Sequence, residues 1–188
     1  MPEDHNMLFK RGGELIDPYM NLLDRGAASG QERVQHLRAG IACLDRVLKM
    51  TPAHWQSLWI RGKAYQALSE HEDARASFAR AYTIQPDHPD VAREHVLELL
   101  QVDRPAEAVR VARAISTKHP RNAGLRANLA VALVLNGDTG EAQEVVREAL
   151  LLDPNDQITA ALKARIDEVA SGKRDAPKTL KALEGEDG

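Results

Sequence analysis

Four prolines set the scale of this chain. Pro52, Pro86, Pro120 and Pro154 stand 34 residues apart, three intervals running. Other positions keep the step: Ala74, Ala108 and Ala142; Ala81, Ile115 and Ala149; Gly62, Val96 and Ala130; Tyr65, Leu99 and Leu133; Phe78, Ala112 and Val146. A shared period of that length predicts a stack of like units, each burying its apolar face on the next.

Each unit reads as two helices. The unit 55–88 predicts helices at 55–68 and 72–84, the unit 89–122 at 89–102 and 105–118, and the unit 123–156 at 123–135 and 140–152. Gly62, Val96 and Ala130 on the first helices, with Ala74, Ala108 and Ala142 on the second, let the two backbones of a hairpin approach. The prolines end the second helices, because proline lacks a donor and restricts the residue before it. Gly137 suits a left-handed C-cap, and Asp138 suits the start of the next helix.

These residues resemble the tetratricopeptide (TPR) repeat. The unit WQSLWIRGKAYQALSEHEDARASFARAYTIQPDH carries the family's Gly62, Tyr65, Ala74, Phe78, Ala81 and Pro86. The unit 123–156 matches through Leu129, Ala130, Leu133, Gly137, Ala142, Ala149 and Pro154. The unit 89–122 departs from the pattern at His95, where a large apolar residue is usual, and at Asp103, where glycine often stands. The resemblance implies an all-α fold, a right-handed TPR superhelix (an α-solenoid of helix–turn–helix repeats), closed by a C-terminal capping helix. It is specific for fold and nearly silent on ligand.

The flanks extend the stack. A long helix over 31–50, opened by a capping box of Ser29 and Glu32, carries Val34, Leu37, Ile41, Leu44 and Leu48 at helical spacing. Its expected partner is a short helix over 18–25, started by Asp17 and Pro18 and closed by Gly26. The organisation expected is therefore a flexible segment 1–13, a divergent first repeat 14–54, TPR units 55–88, 89–122 and 123–156, a capping helix 157–172 and a disordered tail 173–188.

Chemistry is absent from the pattern. No pair among the seven histidines has zinc spacing, and Cys43 has no base near it in sequence. The run GKAYQAL at Gly62 is a helix interior, and RGGELID lacks the lysine of a phosphate loop. Glu72 and Asp73 stand at a helix start, where they complement the dipole. The chain is read as a non-enzyme with no cofactor. A formal net charge of −3 with dispersed basic residues argues against nucleic acid. The longest apolar run is too short to span a bilayer. With no secretory-signal pattern in the first twenty residues and a single cysteine, the expected location is cytoplasmic.

The stretch ANLAVALVLNGD, residues 127–138, holds seven apolar residues in a row, Leu129 to Leu135. A surface helix should be apolar on one face only. Helical phase assigns Leu129, Ala130 and Leu133 to the hairpin and turns the second apolar face toward a concave groove. The groove residues expected on the three first helices are Trp59, Lys63 and Gln66; Arg93, Leu97 and Leu100; and Ala127, Asn128, Val131 and Val134. Some TPR domains clamp a C-terminal carboxylate on this face. Here Trp59, Lys63, Glu94 and Gly124 replace four clamp positions and only Asn128 remains, so that reading is rejected. The function expected is an adaptor or assembly factor that holds an apolar peptide or helix of a partner protein. Other occupants of the groove are the N-terminal MLFKRGGELI or a second copy in a homodimer. Alternative roles are a small TPR chaperone of a bacterial secretion system, or a structural or regulatory subunit binding through its convex face.

Overall fold

Helix forms wherever an apolar stripe recurs at helical spacing. The structure, a computed structural model, describes residues 4–20 and 30–185, apart from the side chain of Glu184, and contains no strand among them. It divides into two units, Met1–Pro86 and Asp87–Gly188.

The first unit holds α1 (His5–Ile16), α2 (Gly30–Met50), α3 (Trp55–Ala67) and α4 (His71–Ile84), with a single 3₁₀ turn, Asp17–Tyr19, after α1. Helix α1 packs mainly on α2, α2 on α3, and α3 on α4. Residues 1–13 were expected to be flexible, with the partner of the long helix at 18–25. The structure places that partner upstream instead, in α1. Leu8, Gly12 and Ile16 recur every four residues on one face and are buried, Ile16 completely. Gly12 lets that face meet α2 at close range: its carbonyl oxygen lies 3.0 Å from where a Cβ on Gly40 would stand. The expected boundary at residue 13 therefore falls inside a packed helix. Residues 21–25 of the expected short helix, and Ser29 of the capping box, lie outside the described residues.

Helix α2 keeps the 34-residue step. Gly40, Leu44 and Val47 precede Ala74, Phe78 and Ala81 by one period, and all six are buried. In the α3–α4 hairpin Phe78 fills the space beside Gly62, where a Cβ would lie 2.6 Å from the ring.

The second unit holds α5 (Pro89–Gln101), α6 (Pro105–Lys118), α7 (Ala123–Leu135), α8 (Thr139–Leu152), α9 (Gln157–Ala170) and α10 (Leu180–Glu184). Each of α5 to α8 packs on the next, and α7 also touches α5 and α9. One apolar cluster runs through the unit, from Val96 and Leu99 through Leu129, Leu133 and Val146 to Leu162, Ile166 and Leu183. Within the tail 173–188, expected to be disordered, Leu180–Glu184 instead form α10, with Leu183 3% exposed. Its two leucines give it an apolar side to bury, which the basic and acidic residues around them obscure in the sequence.

Turns repeat as faithfully as helices. Ser69, Asp103 and Gly137 stand 34 residues apart and all have positive φ, at 60°, 56° and 89°. After each, the next amide reaches back five residues: Glu70 N to Tyr65 O at 2.9 Å, Arg104 N to Leu99 O at 2.8 Å, and Asp138 N to Leu133 O at 2.9 Å. This is a left-handed cap with its long return bond, used three times.

Candidate protein-binding face

Helix α7 is apolar all round because it is surrounded. It touches α5, α6, α8 and α9, and Ala132, Val134 and Leu135 on its second face join the core with Leu162 and Ile166 of α9. Two expected groove residues are therefore core. Val134 is fully buried and Leu100, one period earlier, is 5% exposed. Expecting them in the groove overlooked the neighbouring repeats. A first helix in a stack is covered by its own hairpin partner and by flanking helices, so its open arc is narrow.

What remains open on the first helices keeps the 34-residue register. Arg93, Ala127 and Ala161 occupy one position, and Leu97, Val131 and Arg165 the next. Arg93 and Ala161 are exposed; Leu97, Ala127, Val131 and Arg165 are half-buried, with Val131 resting on the core. Asn128 is also half-buried. In the second unit these residues form a strip across α5, α7 and α9, aliphatic at Leu97 and Val131, with an arginine at either end. Arg93 is held within its own helix, 3.1 Å from Glu94 and 3.5 Å from Asp90.

In the first unit the same register on α3 gives Trp59 and Lys63, with Gln66 at the position of Leu100. All three are half-buried. Trp59 Nε1 is buried without a hydrogen-bond partner among the described residues.

Sequence reasoning missed the buried acids of α5. Glu94 and Glu98 are 4% and 2% exposed. They stand one period before Asn128 and Ala132, and that substitution of acid for amide and methyl was the available signal.

Side-chain caps start two of the helices that carry the strip, and polar contacts link α6 to α8 and α8 to α9. Asn122 Oδ1 accepts from Leu125 N at 3.0 Å and starts α7. Asp156 starts α9: Oδ1 accepts from Ile158 N at 3.0 Å and Thr159 N at 3.3 Å, and Oδ2 accepts from the Thr159 hydroxyl at 2.6 Å. The Thr159 hydroxyl first, and then the backbone amides, hold the Asp156 carboxyl below its ordinary range. Arg113 of α6 donates to Glu141 of α8 at 3.0 Å, and Gln143 of α8 to Asp167 of α9 at 2.8 Å. In the first unit, burial and then the neighbouring His5 keep the His54 imidazole below its usual pKa.

Among the described residues no three His, Cys, Asp or Glu side chains are grouped to hold a metal ion, and no helix is long and apolar enough to cross a membrane. Two family models, both described as tetratricopeptide repeat, match residues 26–89 and 99–166. Among solved structures, the chain is similar to YrrB, titled a TPR protein with an unusual peptide-binding site: 17% identity, TM-score 0.65, covering 97% of this chain and 90% of that one. It is also similar to MamA from Desulfovibrio magneticus RS-1, at 15% identity and TM-score 0.68, covering 95% of this chain and 98% of that one. Over 76 residues it is 26% identical to the transcription factor tau 131 kDa subunit of Saccharomyces cerevisiae, a match covering 40% of this chain and 7% of that protein.

Proposed function

Because the chain belongs to the tetratricopeptide repeat family, we propose that this protein–protein interaction module works as an adaptor or assembly factor that binds an apolar peptide or helix of a partner along the open strip of its first helices. The observation that carries this reading is the pairing of Leu97 and Val131. They stand one period apart on α5 and α7, and both stay partly open, whereas Leu100 and Val134 beside them are core. An aliphatic centre at Leu97 and Val131 suits a partner segment that presents an apolar side. The family and fold favour a binding role over a catalytic one.

The test is the double substitution Leu97→Asp and Val131→Asp. A charge at each site hydrates in the free protein and is desolvated under a bound apolar segment. Helical content stays near wild type and capture of a native partner from its host is lost. A folded double variant that retains its partner refutes the strip as the site. In that case contact through the outer surface leads, with Leu151 of the second helix α8 as an apolar side chain 81% exposed there.

A further inference from the structure

The C-terminal segment does what a solvating tail does not. Pro177 is buried, Leu183 joins the core cluster of the second unit, and Leu180 packs against that cluster. Its end lies at α9, where a Cβ on Gly185 would stand 3.9 Å from Arg165 Nη2. Leu180 and Leu183 stand one period after Val146 and Ala149, so α10 takes the place of a short second helix beside α9.

Those leucines carry the apolar contacts of α10. It has five residues, whereas isolated helices below about 12–15 residues are marginal in water. Its caps are its own: Thr179 Oγ1 accepts from Ala182 N at 3.1 Å, and Gly185 N donates to Lys181 O at 3.0 Å. Residues 173–176, 178 and 179, which join it to α9, are exposed. A segment of this kind can leave while α7 and α9 stay folded. It behaves as a ligand on a short tether, at an effective concentration on the order of millimolar.

We infer that α10 is a displaceable ligand held in cis, and that the surface it covers receives a short partner helix of the same design: two aliphatic residues three apart behind a threonine or serine cap. The seat of α10 is the core cluster of the second unit rather than the strip, so the inference goes beyond that reading. Its probe is the chain's own sequence, so its outcome does not depend on whether an outside partner is found.

The probe is a fluorescein-labelled peptide of residues 176–185, APKTLKALEG, and the receptors are the full chain and its Leu180→Asp/Leu183→Asp variant. By anisotropy the variant binds the peptide at least tenfold tighter than wild type, and a peptide carrying both aspartates does not bind. Hydrogen exchange on the wild-type chain gives a second readout. The amides of Ala182, Leu183 and Gly185 exchange at least a hundredfold faster than those of Ala132 and Leu133. Absent or equal peptide binding by a folded variant overturns the inference. Exchange of the α10 amides only at the rate of global unfolding overturns it as well, and does so even if the variant fails to fold.

Discussion

A Cβ on Gly40 would lie 2.6 Å from Ile16 Cγ1, so α1 and α2 meet where α2 has no side chain. Gly40 stands one period before Ala74, and the contact is the first repeat's version of a hairpin contact that later repeats make with alanine. Gly40→Ala forces Ile16 and the Gly12 carbonyl apart, and overpacking of this kind costs roughly 1–3 kcal/mol. Gly13, on the same helix as Gly12, has nothing within 4 Å of its added Cβ. Gly13→Ala therefore stabilises by about 0.5–1 kcal/mol through helix propensity. Urea midpoints for the two variants should move in opposite directions. A neutral Gly40→Ala would mean that α1 is not docked there.

That contact also marks where the sequence was legible and where it was not. The prolines, Gly62 and the alanines fix register because each is demanded by local geometry: a helix end, a close approach, a small contact. Asp17, Pro18 and Gly26 predict the partner of α2 at 18–25, whereas the chain supplies it from His5–Ile16. The spacing of Leu8, Gly12 and Ile16 is the signal for α1, with Lys10, Arg11 and Glu14 standing between them. The open strip was half legible. Helical phase separates Leu133 from Val131, but it cannot say that α9 and its neighbours also cover Val134. That depends on what stacks beside the helix rather than on the helix itself.

Ser69 and Asp103 take the left-handed backbone that Gly137 takes in the third hairpin. For a residue with a Cβ that region costs roughly 1–2 kcal/mol, partly offset in Asp by local hydrogen bonding. Ser69→Gly should therefore stabilise by about 0.5–1 kcal/mol after the entropy glycine adds to the unfolded chain. Asp103→Gly should gain less. Thermal unfolding of the two variants checks the order, and a loss in both would show that their side chains contribute more than the backbone strain removes.

Asp156 ties the start of α9, and its acceptor role needs the ionised carboxyl. Its folded-state pKa is lowered, chiefly by the Thr159 hydroxyl. The stabilisation is thus fully present above the unfolded value of about 3.9 and is lost as pH falls through the lower folded value. Asp156→Ala should lower Tm at pH 7. The difference from wild type should shrink as pH is taken below that of the folded carboxyl. A gap that does not narrow at any point in the acid titration would mean the cap acts through something other than its charge.

The binding strip itself is open to a direct measurement. A photo-crosslinking amino acid is placed singly at Leu97, Val131 or Leu151, and the protein is irradiated in its native host. Leu97 and Val131 lie half-buried on the strip, while Leu151, on the second helix α8, is far more exposed. Adducts to one protein partner from Leu97 and Val131, with none from Leu151, are what the account predicts. Adducts from Leu151 alone would contradict it.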